Sequence, residues 1–450
     1  MSKWTLSGDR YEFLPQFLRL AIINIISNLM VPLAGLIDSA FLGHLDQIRH
    51  LAGVSLATVL FNYIYWSFGF LRMGTTGTTA QALGRGDRAE ILLTLIRNGL
   101  LATAIGMAIL LLQLPLRELG FQFFQASAAV ENSGREYFNA TIWAAPAFLI
   151  NYVLVGWFLG QSQSIKVLLL SIVGSGANVL LNYLFVVELQ WQSTGAGIAT
   201  TASQYLTLLL GIGLVQRSLS QFTLPKLTNL RQAVFNPQAI GVTFALNGNI
   251  MLRTFALITV FSTFTNLSSA LSTTTLAANS LLLQVFTSTA YFIDGFANAT
   301  ESLVGIFKGN GDRRQLVALL QVSAVASFMI GILAACGFIY APAVLFALLT
   351  SHSNVVATIS NYVVWLLPIL GIGAIAFVLD GYFIGLTAGA TLRNAALISA
   401  AVGFAPIAYL AWQLGSNHLL WLALAGFMLA RAITLAVKIP SSLKTIKSAT

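Results

Sequence analysis

The sequence predicts an all-α polytopic membrane protein, with twelve transmembrane helices in two parallel six-helix repeats. Three observations carry that expectation: scarce charge, long apolar runs and an internal duplication. Of 450 residues, 57% are hydrophobic and 8% are charged, with 23 basic and 14 acidic side chains. An ordinary soluble chain carries about 25% charged residues. Too little charge is available to cover a water-facing surface, so lipid must be the main solvent. This excludes a soluble enzyme, a nucleic-acid binder and a secreted disulfide scaffold. The single cysteine, Cys336, has no internal disulfide partner.

A spanning helix needs about 20 mostly apolar residues. Runs of that kind are centred near residues 30, 62, 102, 148, 177, 206, 250, 290, 328, 370, 403 and 428. Strand-like alternation is absent, so helices must satisfy the backbone inside the bilayer. The opening MSKWTLSGDR lacks the pattern of a signal peptide, and the first apolar run is expected to stay in the mature protein. With the N-terminus inside, the inner segments hold eighteen basic residues, Arg431 among them, against Arg49, Arg117 and Arg135 outside. This positive-inside bias places both termini in the cytoplasm and accounts for most of the net charge of +9. The basic residues are scattered over short loops and form no stripe for nucleic acid.

The duplication has an offset of 225 residues. Gly84-Arg85-Gly86-Asp87-Arg88 returns as Gly309-Asn310-Gly311-Asp312-Arg313, Tyr137 as Tyr362, and Gly156, Phe158 and Gly160 as Gly381, Phe383 and Gly385. Each copy holds an even number of spans, so both enter the bilayer from the same side. Parallel repeats of this kind build two-lobed transporters. The expected organisation is an N-terminal lobe 1–217, a cytoplasmic linker 218–237 and a C-terminal lobe 238–450.

Four carboxylates fall inside the spans: Asp38, Asp294, Glu301 and Asp380. Ionisable groups there are costly and by default suggest function. At the repeat offset Asp294 faces Gly69, Glu301 faces Thr76 and Asp380 faces Val155, so the scaffold is duplicated but the acids are not. That asymmetry favours specialised lobes. Pro32 removes a backbone donor six residues before Asp38, and Gly35 lies between them, so a helix kink is expected beside a carboxylate whose charge protonation would erase. Asn178 and Asn182, i and i+4 on the fifth span, could offer oxygen ligands near Asp38 together with Thr200, or serve as hydrogen-bonding glue between helices. In the second lobe Asp294 and Glu301 share a helix face, with Arg253 as the natural counter-ion for one of them and Asn247 and Asn249 nearby. His44, His50, His352 and His418 have no metal-ligand spacing, and no P-loop or nucleophilic triad is legible, so neither an enzyme nor a bound cofactor is expected.

The run from Val31 to Leu45, with Pro32 and Asp38, resembles the first helix of the multidrug and toxic compound extrusion (MATE) family, DinF-like branch. Asn247-Gly248-Asn249 followed by Arg253 is similar to that branch's seventh helix. Asp294-Gly295-Phe296-Ala297 with Glu301, and Asp380-Gly381-Tyr382-Phe383, resemble its eighth and tenth. The resemblance spans essentially the whole chain. It implies a 6+6 helix fold in a bacterial inner membrane and antiport of small organic compounds against H+ or Na+. It also gives the proton-linked role to Asp38. Two departures stand out: the branch often has Asn-x-x-x-Asp where this chain has Asn178 and Asn182, and Asn-Arg-Asp at residues 247–249. An amide cannot titrate and holds Na+ weakly. H+ is therefore the expected coupling ion, with a weak Na+ site at Asp38 as the alternative.

The less acidic cavity would admit neutral or anionic metabolites as well as cationic drugs. A flippase for a lipid-linked precursor shares the superfamily architecture, but only Arg253 and at most Arg72 are read as arginines inside the bilayer. The partners expected are small organic substrates and the lipid bilayer, and the chain is expected to be a monomer.

Overall fold

In a computed structural model, residues 10–45, 47–122, 124, 126–220, 230–347, 349–350 and 352–444 are described. Of the expected linker 218–237, residues 221–229 lie outside the described residues. Among the described residues there is no strand, and twelve helical segments are long and apolar enough to cross a membrane. They are α1 (Leu14–Gly43), α2 (Ile48–Gly84), α3 (Arg88–Leu111), α4 (Ala128–Gly160), α5 (Ser164–Glu188) and α6 (Gln192–Ser220). The second set is α7 (Pro237–Leu271), α8 (Thr273–Asn310), α9 (Arg313–Tyr340), α10 (Ser353–Gly385), α11 (Gly389–Leu414) and α12 (Asn417–Ala436). Each contains one of the twelve centres read from the sequence.

Packing groups the described chain into two compact units. The N-terminal unit is Ile26–Phe244, and the C-terminal unit joins Met1–Ile25 to Ala245–Thr450. These limits cut through α1 and α7 instead of following the expected lobe boundaries. The physical cause is visible in α1. Phe13 packs edge-on against Phe307 (5.9 Å) and Phe17 against Phe296 (5.8 Å), while Ile25 closes on Gly295, so the start of this helix is buried on α8. The short helix Leu230–Val234, within the expected linker, sits on α3. Arg97 donates to the Ala233 carbonyl (2.8 Å) and to Glu90 (2.7 Å), fixing it there.

The duplicated motifs do the same physical work in both units. Asp87 and Asp312 cap the helices that follow them, accepting from the Glu90 and Gln315 amides at 3.0 Å. Gly86 (φ +70°) and Gly311 (φ +78°) supply the left-handed residue that ends the preceding helix. The repeated glycines of α4 and α10 let backbones touch. A Cβ on Gly156 would lie 2.4 Å from the Arg72 carbonyl, and one on Gly160 would lie 2.7 Å from that of Thr76. In the second copy Gly381 meets the Ala297 carbonyl and Gly385 that of Glu301, both at 2.5 Å. Small residues four apart are the usual device for close helix packing in lipid.

At the end of the N-terminal unit where α2 and α6 begin, His50 is buried and its Nδ1 lies 2.8 Å from Ser193 Oγ. Among the described residues no group of three or more His, Cys, Asp and Glu is arranged to hold a metal.

Candidate functional site

In the N-terminal unit the structure brings together Asp38, Asn178, Asn182 and Thr200. The helix α1 remains helical across Pro32 and Gly35 and carries Asp38 five residues before its end. The Ser39 hydroxyl bonds back to the Gly35 carbonyl at 2.9 Å. The α5 segment is α-helical to Asn182 and then π-helical over Tyr183–Glu188, so Asn182 stands where the winding changes. Such π segments in helices are frequent at functional sites.

Asn182 Nδ2 donates to Asp38 Oδ1 at 2.8 Å. With the Asn178 amide turned so that its nitrogen faces the carboxylate, it donates to Oδ1 at 3.1 Å and to Oδ2 at 2.8 Å. Its oxygen then faces the Thr200 hydroxyl at 3.3 Å. In this orientation both oxygens of the carboxylate accept from amide N–H groups, and the amide oxygens point away from it.

Tyr137 completes the site and was not among the residues the sequence singled out for it. Its side chain is buried near Thr200 and in the field of Asp38. The available signal was its exact recurrence at Tyr362 in the second copy.

The C-terminal unit assembles a different arrangement. Asp380 on α10 is 4% exposed and forms ion pairs with two guanidinium groups, Arg253 of α7 and Arg431 of α12. The sequence reading offered Arg253 to Asp294 or Glu301; the structure also pairs it with Asp380, a partner the sequence did not suggest. Arg431 is a correction. Counted among the cytoplasmic basic residues, it is 1% exposed inside α12, its guanidinium 5.5 Å from the Phe377 ring centroid. The signal lay in its position three residues from the centre of the last apolar run.

Asp294 on α8 contributes to the field at Arg431, and Glu301, 1% exposed, lies two turns further along the same helix. Asn247 is buried six residues before Arg253 on α7. Asn249 is directed elsewhere: it accepts from Arg393 of α11 at 2.8 Å and donates to the Ala245 carbonyl.

The two arrangements have different chemistry. A carboxylate held by neutral donors can gain or lose a proton without breaking an ion pair. A buried carboxylate between two guanidinium groups is tied, since removing its charge would take from both buried cations the carboxylate they share.

The MatE family profile matches residues 24–184 and 250–410, one match in each copy. The chain is 36% identical to DNA damage-inducible protein F of Escherichia coli, over 93% of its own length and 90% of that protein. It is 27% identical to the multidrug resistance protein NorM of Aliivibrio fischeri, over 67% of this chain and 65% of that one. Its fold matches a solved outward-facing conformation of a multidrug resistance MATE family transporter, with a TM-score of 0.82 at 19% identity and 98% of each chain covered.

Proposed function

The chain belongs to the MatE family of membrane transporters, and from that premise we propose that it is an H+-coupled antiporter exporting amphipathic organic compounds. Asp38 is the residue that takes up and releases the coupling proton. The membrane is a bacterial inner membrane, with both termini in the cytoplasm as the basic residues suggest. Alternating access of the two lobes moves the substrate.

The observation that supports H+ over Na+ is the pair of amide nitrogens on Asp38. Asn182 supplies an N–H donor to its Oδ1, and Asn178, with its amide nitrogen turned toward the carboxylate, supplies donors to both oxygens. A bound Na+ needs oxygen ligands, so both amides would have to turn around and abandon the carboxylate. A proton needs only one oxygen of the carboxylate. Asp380, by contrast, already carries two arginines at its carboxylate. Exchange of organic anions would call on Arg253, and its pairing with Asp380 removes the support for that reading.

The test is purified protein in liposomes under imposed gradients, with a panel of dyes and organic cations. A pH gradient is expected to drive uptake, and Asp38→Asn to abolish that drive. Uptake driven by a Na+ gradient at equal pH, or a pH response that survives in Asp38→Asn, would overturn the proposal.

A further inference from the structure

We propose that a cleft between α4 and α6 of the N-terminal unit binds the primary ammonium headgroup of a bilayer phospholipid, phosphatidylethanolamine. The cleft has a volume of about 560 Å³ and is lined by Glu136, Asn139 and Trp143 of α4 and by Thr194, Ile198 and Thr201 of α6. Glu136 lines it from the α-helical part of α4 and Trp143 from the 3-10 turn Ile142–Ala144 that follows. Tyr137 and Thr200, sequence neighbours of two of the lining residues, belong to the Asp38 site. The same two helices thus present one polar face to that site and a second to the cleft.

Charge pairing singles out Glu136. At this end of the unit Glu118 is bonded by Arg117 (2.9 Å) and Arg135 (2.7 Å), and Glu131 by Arg135 (2.8 Å). Glu136 has no ion-pair partner among the described residues. Glu136 is exposed, so an ammonium group from outside the protein can reach it and form a charge-assisted hydrogen bond. Asn139 is also prepared for a ligand. Its Oδ1 accepts from Arg117 Nη1 at 2.8 Å, which leaves its N–H donors for another acceptor such as a phosphate oxygen. The Trp143 indole is 53% exposed, and such rings sit at headgroup level in membrane proteins and attract ammonium groups.

What lies beneath the cleft argues for a lipid over a soluble amine. The Tyr205 hydroxyl donates to the Trp143 carbonyl at 3.1 Å, placing Tyr205 directly below. From there an exposed apolar stripe continues down α6 through Tyr205 (39%), Leu209 (66%) and Ile212 (43%). At about 1.5 Å per residue, Thr201 to Ile212 spans about 16 Å, close to half of the ~30 Å hydrocarbon core. The cleft therefore sits above a track one leaflet deep, which fits a headgroup with acyl chains attached. A carboxylate accepting N–H bonds further distinguishes a primary ammonium from the quaternary ammonium of phosphatidylcholine, which has no N–H to donate.

The experiment is native mass spectrometry of the purified full-length protein titrated with phosphatidylethanolamine, phosphatidylcholine or phosphatidylglycerol. Wild type is expected to retain phosphatidylethanolamine about tenfold better than phosphatidylcholine, as befits one charge-assisted hydrogen bond. Glu136→Gln should lose that preference, Asn139→Leu should weaken it a few-fold, and Glu131→Gln should keep it. Equal retention of the two lipids by wild type, or a preference that survives Glu136→Gln, would overturn the proposal. Free ethanolamine displacing phosphatidylethanolamine at comparable concentration would also overturn it, by reassigning the cleft to soluble amines. Lipid retention is read without transport, so its failure and that of the antiport reading are separable.

Discussion

Asp38 and Asp380 are both aspartates inside transmembrane helices, and each is engaged by two nitrogen-bearing partners. The partners differ in kind. Asp38 faces two neutral amides, whereas Asp380 faces two cations. The first arrangement leaves the aspartate's charge adjustable, and the second fixes it. Around both, the helices are built from the same repeated parts: aspartate caps after a left-handed glycine, and paired glycines where backbones touch. The duplication therefore preserved how helices pack and let the polar interiors diverge. Each unit holds acids that have no acidic counterpart in the other copy.

The sharpest way to break this comparison is to neutralise each aspartate and read stability. Asp380→Asn leaves two buried guanidinium groups without a full counter-charge and should cost about 3–5 kcal/mol. Asp38→Asn keeps a hydrogen-bonding side chain among amides and should cost less than about 1 kcal/mol. Thermal melting of the two purified variants in the same detergent measures the difference. Equal losses would mean that Asp38 is as structurally committed as Asp380.

A smaller effect tests the shared scaffold. Gly160→Ala and Gly385→Ala each push a Cβ into a backbone carbonyl, at 2.7 Å and 2.5 Å. Overpacking of this kind costs about 1–3 kcal/mol. The two variants should lose similar stability, since their contacts are repeat-equivalent. A loss confined to one unit would show that only that unit depends on close backbone packing.

Ion preference offers a third test, expected to change transport more than stability. Asn182→Asp places a second carboxylate beside Asp38 and supplies oxygen ligands in place of an N–H donor. It should gain Na+-stimulated transport in liposomes at fixed pH, a response absent from the wild type. Without such a gain, the amide at residue 182 is not what sets the ion.

The smallest expected effect lies outside both sites. Hydrogen bonds from Arg135 and Arg117 hold the exposed Glu118 carboxyl down to about 2. A carboxyl depressed in the folded state contributes stability that is full above its unfolded value, near 4.5, and lost as pH falls through about 2. Wild type should therefore melt slightly above Glu118→Gln at pH 5–8, and the gap should close between about pH 4.5 and 2. Solvent screening keeps it small.

How much of this was legible in the sequence depends on the range of the signal. Apolar runs and the exact offset are one-dimensional features, and they gave twelve spans and the repeat. Asn178 and Asn182 were readable because helical spacing of four puts both on one face, and Pro32 marked the helix that faces them. The pairing of Arg253 with Asp380 was not readable, because the two are distant in sequence and only the folded chain brings their side chains together. Arg431 was misread for a different reason: counting basic residues for orientation treats each as a loop residue, although an arginine near the centre of an apolar run is buried. Glu136 gave no signal, since its significance depends on which other acids found arginines.

The division of α1 and α7 has a consequence for how such a chain could arise or be taken apart. The start of α1, with Phe13 and Phe17, belongs to the unit formed mainly by the second copy, and Pro237–Phe244 at the start of α7 belongs to the unit formed by the first. The first copy thus lends the beginning of its first helix to the other unit, where Phe13 and Phe17 cover the Phe307 and Phe296 faces of α8. Cut between α6 and α7, the C-terminal fragment would lose those rings and leave this part of α8 bare. Only the N-terminal fragment, supplied alongside it, would restore that cover.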